Sequence, residues 1–302
     1  MATNAATPTR GPILPVARIR EALVGYGFVL LPMAFFALIF IWPIVYAIYI
    51  SRYDWGVLGK VKGVGWENYT DLVHDDLFRR ALKNTLLYTA VVVPAQMALG
   101  LLLALAVNQK LRGRGFFRSA YYFPAIASSA AITAIFIYLL SADGLLNSII
   151  GGHRPWLGDP ATALWAVMGL NVWTTAATVM LFYLAALQSI PTDVYEASAI
   201  DGAGRWRTFS KITFPLLKPG HFFVAVVSIV GCLKVFDQPY IVSGGTGGPA
   251  YSTLSVVLYL YQTAFQNIEF GYAAAMGVAL FAVILTLTVI QRLLFGKAEI
   301  GY

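Results

Sequence analysis

The stretch YEASAIDGAGRWRTFSKITFPLLKP, residues 195–219, lies between two long apolar runs. It gathers Glu196, Asp201, Arg205, Arg207, Lys211 and Lys218 in a chain of 302 residues that is 59% hydrophobic and 12% charged. So apolar a composition cannot form a soluble globular surface. Crossing about 30 Å of hydrocarbon takes roughly 20 apolar residues. The chain offers such runs near 26–50, 86–107, 120–140, 163–187, 222–236 with an extension to 240, and 272–294. They stay apolar on all sides for too long to be the alternating strands of a barrel. The expected fold is therefore all-α: a polytopic membrane protein of six transmembrane helices, with the polar stretch outside the bilayer between the fourth and fifth.

Residues 1–20 read as a cytoplasmic tail and 21–302 as one transmembrane domain, with an external segment at 51–83 and a cytoplasmic loop at 188–218. The first run is too long for a signal-peptide core and is expected to remain as a signal anchor. Orientation follows the cations of the short loops. Arg10, Arg18 and Arg20, then Lys110, Arg112, Arg114 and Arg118, then Arg205, Arg207, Lys211 and Lys218, and finally Arg292 and Lys297 fall on one side. The other side has fewer cations, mostly within 52–83, where Asp54, Glu67, Asp71, Asp75 and Asp76 offset them. Both termini are thus expected in the cytoplasm. The net charge of +7 fits this asymmetry and contact with anionic lipid, and calls for no nucleic acid. In the external segment, Trp66, Tyr69, Leu72, Val73, Leu77, Phe78 and Leu82 recur at helical spacing, which predicts short amphipathic helices.

Within the polar loop, Ser189, Pro191, Thr192 and Asp193 are start signals for a helix running to about Asp201. Gly202 suits the left-handed residue that ends it, and Pro215 with Pro219 is expected to close a second, basic helix. Ala197, Ser198 and Ala199 add little bulk around Glu196. From the residues alone two readings stand: a docking knob for another protein, or a surface helix resting on lipid headgroups.

Glu196-Ala197-Ser198, Gly202, Ile212 and Phe214-Pro215 fall at the spacing of the EAA loop of permease subunits from binding-protein-dependent ATP-binding-cassette importers, and the chain resembles that family. Ser198 stands where the loop's last alanine is expected and Phe214 where it has leucine. The segment KVFDQPYIVSGGTGGPAYSTLSVVLYLYQTAFQNIEFGYAAAM, with ENYTDL and ALKNTLLYT, is similar to the carbohydrate-uptake branch related to the maltose transporter's larger membrane subunit. The resemblance implies a type I importer permease fold in which the loop couples to the ATPase through Glu196, Ala197, Ser198, Asp201, Gly202, Arg205, Ile212 and Pro215. It also implies the partners: a second homologous permease subunit, two ATPase subunits and an extracytoplasmic solute-binding protein. The chain has no Gly-x-x-x-x-Gly-Lys-Ser/Thr phosphate loop. ATP and magnesium are therefore expected on the partner ATPases, with no cofactor on this chain.

Polar groups inside spans are costly and tend to face a cavity or another helix. Asn171, Thr174, Lys234, Asp237 and Gln238 form that set, beside Thr175. Lys234 and Asp237 are placed to meet on one helix face as an ion pair, and Lys234 could instead snorkel outward. A sugar also needs flat aromatic faces, for which Tyr138, Trp173, Phe236 and Tyr272 are candidates, with Tyr240 and Tyr259. SGGTGGP reads as an external gate or receptor-contacting turn. An intramembrane enzyme would need paired acid and base groups or metal ligands, yet no histidine falls within the spans as drawn. Cys232 stands alone, His74 has no partner at ligand spacing, and no metal site is expected. Import of glycerol 3-phosphate or a glycerophosphodiester, and ATP-independent secondary transport, are the alternatives to sugar import.

Overall fold

A computed structural model of the protein describes residues 15–109, 122–123 and 125–295, with side chains from Glu21 to Leu294. Two compact units divide at Tyr49 and Ile50. In the first, α1 (Pro15–Phe36), a wider π turn at Ala37–Ile41 and α2 (Trp42–Ile50) run on as one apolar helix. Helix is therefore present from Pro15 on, inside the stretch expected as a tail, and residues 1–14 lie outside those described. So do Lys110, Arg112, Arg114, Arg118 and Lys297 of the orientation pattern and the start of the run at 120–140.

The second unit opens with an antiparallel hairpin, β1 (Tyr53–Gly56) and β2 (Gly59–Gly63), where Gly-rich turns and no strand were expected. Gly56 pairs with Gly59, and Gly59 takes φ +87. Glycine's access to the left-handed region closes the tight turn. α3 (Glu67–His74) follows, with Leu72 buried. Asp75 caps α4 (Asp76–Asn108), its carboxylate accepting from the Leu77 and Phe78 amides at 2.8 and 3.1 Å. This cap, and burial of Phe78 and Ala81, start the helix at Asp76 rather than near 86.

The helices that follow are α5 (Ser129–Leu139), α6 (Leu145–Ile150), α7 (Ala163–Gln188), α8 (Thr192–Ile200), α9 (Arg205–Thr208), α10 (Phe214–Leu216), α11 (Lys218–Leu233), α12 (Asp237–Ser243), α13 (Val256–Tyr261) and α14 (Phe270–Phe295). Among the described residues five segments are long and apolar enough to cross a membrane: Glu21–Ile50, Asp76–Asn108, Ala163–Gln188, Lys218–Ser243 and Phe270–Leu294. α5 is a shorter apolar helix in the expected third span.

α4 and α7 pack along much of their length. Gly100 makes this possible, because a side chain there would strike Val179. Close backbone approach at small residues is how helices associate where lipid is as apolar as they are. Leu101, Ala104, Val107, Val179, Met180, Tyr183, Leu184 and Leu187 fill one end of that contact together with Leu217 and Val224. Its other end holds Tyr88, Val92, Val93, Val167, Met168 and Cys232. A third cluster joins Leu72, Phe78 and Ala81 to Leu254, Val256, Leu258 and Met276, at the hairpin end.

Two expectations about the fifth span are corrected. Pro219 does not end a helix; it sits in the first turn of α11, where its missing amide costs nothing. The span consequently starts at Lys218 rather than 222 and includes His221, so a histidine does stand within it. It is also broken, with Lys234 closing α11 and Phe236, at φ −136 and ψ −56, opening α12.

Candidate coupling loop and polar residues of the spans

Just past the end of α8, Gly202 takes the left-handed region, φ +69. The Gly202 amide donates to the Ala199 carbonyl at 3.1 Å and the Ala203 amide to the Ser198 carbonyl at 3.0 Å. This paired closure satisfies carbonyls that the helix end would leave bare and turns the chain back into α9. Ser198 is 4% exposed, and its hydroxyl lies 2.9 Å from that of Thr208 in α9. The side of α8 that holds Ser198 is therefore occupied by the loop itself. Glu196, Ala197, Asp201 and Arg205 remain exposed, and Ile200 and Trp206 are 87% and 77% exposed. Ile212 is half-buried and Pro215 is exposed in α10. Between α9 and α10 the chain widens into a π turn, Phe209–Thr213, in which the Phe214 amide donates to the Phe209 carbonyl.

The polar residues expected to line a pathway separate into two groups. Asn171 donates to Gln238 Oε1 at 2.8 Å; Thr175 donates to Gln96 Oε1 at 2.6 Å and to the Asn171 carbonyl at 2.6 Å. Tyr88 reaches Gln238 Oε1 at 3.4 Å, and Gln96 Nε2 lies 3.9 Å from the Cys232 sulfur. These bonds tie α4, α7, α11 and α12 together, so Asn171 and Gln238 satisfy each other inside the bundle. Thr174 donates back to the Leu170 and Asn171 carbonyls of its own helix. Gln96 and Tyr88 were not singled out from sequence; Gln96 in the apolar run at 86–107 was the available signal.

The second group is exposed, apart from a half-buried Phe236. Lys234 and Asp237 do not pair, because the break between α11 and α12 removes the helix face on which they would meet. Both are exposed. Trp173 contacts Phe136 of α5 at 5.5 Å between ring centroids, and Tyr138 is 74% exposed. Phe236 packs within 5.2 Å of both Tyr240 and Tyr261.

Tyr272 belongs to neither group. Its hydroxyl donates to Asp75 Oδ2 at 2.9 Å, beside that of Tyr259 at 2.7 Å. Burial alone would lift the Asp75 carboxyl, but the bonds from Tyr259, Phe78, Tyr272 and Leu77 outweigh it and hold the group below its ordinary value. Tyr272 thus serves a structural tie between α4, α13 and α14 at the hairpin end.

Residues 96–299 match the family of binding-protein-dependent transport system inner membrane components. The chain is 36% identical over 284 residues to the lactose transport system permease protein LacF of Rhizobium radiobacter, covering 91% of this chain and 94% of that one. It is 32% identical over 292 residues to the multiple sugar-binding transport system permease protein MsmF of Streptococcus mutans, covering 95% and 100%. In fold it matches a chain of a bacterial alginate ABC transporter, solved in complex with an alginate pentasaccharide-bound periplasmic protein, at TM-score 0.77 and 23% identity over 91% of this chain and 94% of that one. The family match and these relatives make the chain a multi-pass membrane permease subunit rather than a catalytic enzyme. The chain belongs to the family of inner-membrane components of binding-protein-dependent transport systems.

Proposed function

We propose that this chain is one half of the membrane pathway of an ATP-driven importer that takes a carbohydrate from an extracytoplasmic binding protein. A second, similar permease completes the pathway, and two ATPase subunits bearing ATP and magnesium drive it from the cytoplasm, where both termini lie. The observation that carries this reading is the loop. One side of α8 is closed by Ser198 and Thr208, while Glu196, Ala197 and Ile200 are left exposed. An exposed isoleucine beside a carboxylate, on a helix held rigid at its end, suits the apolar centre and polar rim of a protein contact. Sugar as substrate class is supported by the names of the relatives, LacF and MsmF among them. Lys234, exposed and without a carboxylate partner among the described residues, supports a second reading in which the solute is acidic, such as glycerol 3-phosphate.

The test is purification of this chain from its host membrane, followed by ATPase assay with the binding protein loaded in turn with lactose, maltodextrins, arabino-oligosaccharides, diacetylchitobiose and glycerol 3-phosphate. Co-purifying ATPase subunits and stimulation by one loaded receptor are expected. Stimulation by the phosphate ester alone would replace the sugar reading with the acidic one. Purification of the chain alone, with solute movement that needs no ATP, would overturn both in favour of a secondary carrier.

A further inference from the structure

His221 is buried near the start of α11 with both ring nitrogens engaged. Nε2 lies 3.2 Å from the Phe214 carbonyl oxygen and Nδ1 lies 2.9 Å from the Tyr183 hydroxyl. A carbonyl only accepts, so Nε2 carries a proton and donates to it, and in the neutral ring Nδ1 accepts from Tyr183. One imidazole thereby joins the last turn of the loop in α10, the first part of the fifth span in α11, and the fourth span in α7.

Ring contacts extend the joint in both directions. Trp206 packs on Phe209 at 5.7 Å between centroids, Phe209 on Phe214 at 6.0 Å, Phe214 on His221 at 4.5 Å, and His221 on Tyr183 at 5.3 Å. The row begins on the exposed face of the loop and ends in the core between α4 and α7, where Tyr183 is fully enclosed. Close-packed side chains transmit displacement because there is no free volume to absorb it. The hydrogen bonds to His221 fix which carbonyl and which hydroxyl move together.

We propose that His221 is the positioning residue that fastens the loop to the fourth span, so that movement imposed on the loop becomes movement of α7. This rests on the reading of the loop as the ATPase-docking element. Coupling is reciprocal: a joint that lets an ATPase move the spans also lets the spans restrain the ATPase. Releasing it frees ATPase closure from the work of moving α7.

The experiment uses the complete complex purified from host membranes, without binding protein, and measures Mg-ATP hydrolysis per bound ATPase subunit. His221→Leu removes both hydrogen bonds, and Tyr183→Phe removes a single oxygen and keeps the ring. Coupling energies between sites correspond to about 5- to 150-fold shifts in an equilibrium, and where ATPase closure precedes hydrolysis the rate follows the closed population. Both variants are expected to raise kcat at least about fivefold with KM for Mg-ATP unchanged. His221→Gln, whose amide can donate to Phe214 and accept from Tyr183, is expected to restore the low rate. An unchanged or lowered rate with ATPase subunits bound overturns the proposal. Loss of those subunits from both variants also overturns it, by making the joint a folding contact. Glu196→Arg is run alongside: if it keeps its ATPase subunits, the docking reading itself fails, whatever the His221 variants do.

Discussion

The loop at 188–218 and the polar residues at 171–175 and 234–238 were equally prominent in the sequence, yet they behave differently in the fold. In the loop, charge, small residues and a glycine fall along a few consecutive turns, and local bonding carries most of the outcome: α8 starts at Thr192, stops at Ile200 and turns at Gly202. In the spans, the fate of each polar group depends on a partner far away in the chain, as Asn171 depends on Gln238 and Thr175 on Gln96. A polar residue in a membrane span is thus first a candidate for a partner helix and only then for a solute.

The comparison breaks most sharply at Glu196. Glu196→Arg places a cation on the exposed face of α8 and is expected to cut ATPase co-purification and ATP-driven uptake by at least about tenfold. The chain should stay inserted in the membrane in normal amount, because the exposed Glu196 side chain makes no hydrogen bond or ion pair among the described residues. Like-charge juxtaposition or loss of a buried charge pair at an interface costs about 2–5 kcal/mol. Full uptake by this variant would return the loop to lipid contact.

Ile200→Asp tests the apolar centre of the same face. An anchor residue of this kind contributes about 2 kcal/mol. ATPase affinity in a titration with purified subunits is expected to fall about 30-fold, with no loss of thermal stability in the permease alone. Asn171→Leu addresses the other region and should reverse this pattern. It leaves Gln238 Oε1 with only the long contact to Tyr88, and an unsatisfied buried acceptor costs about 1–3 kcal/mol. A lower unfolding temperature in detergent is expected, with receptor-stimulated ATP hydrolysis kept by the molecules that remain folded. If hydrolysis is lost while stability is kept, Asn171 touches the solute and the division between the regions is wrong. The smallest effect is expected from Gly202→Ala, which forces a side chain into the left-handed region at a cost of about 1 kcal/mol. It should loosen the end of α8, seen as faster amide exchange at Gly202 and Ala203, without abolishing uptake.

Much of the fold was legible because long apolar runs leave few alternatives in a bilayer, and the fourth span, drawn at 163–187, is found at Ala163–Gln188. The missed features have specific causes. The hairpin at Tyr53–Gly63 has strands of four and five residues, too short for a two-residue period to stand out. The early start of α4 depends on Asp75, which read as one of several surface acids although it is bonded to Tyr259 and Tyr272. Pro215 and Pro219 looked like terminators, but proline is also well placed in a first helical turn, and sequence alone does not separate the two. Ser198 was grouped with its small neighbours as docking surface; helical geometry turns it towards Thr208 instead. His221 lay one residue outside the span as drawn, and its role needed Tyr183 and Phe214 in space.

Site-directed crosslinking from Ile200 tests the central claim most directly. Cys232 is the only cysteine, so Cys232→Ser with Ile200→Cys gives a single attachment point for a photoreactive group in native membranes. The expected result is a crosslink to a chain carrying a Gly-x-x-x-x-Gly-Lys-Ser/Thr phosphate loop, whereas the same label at the hairpin residue Leu58 gives none. A label at Ile200 that captures only lipid, in membranes where that ATPase is present, would contradict the assignment of this loop as the ATPase contact.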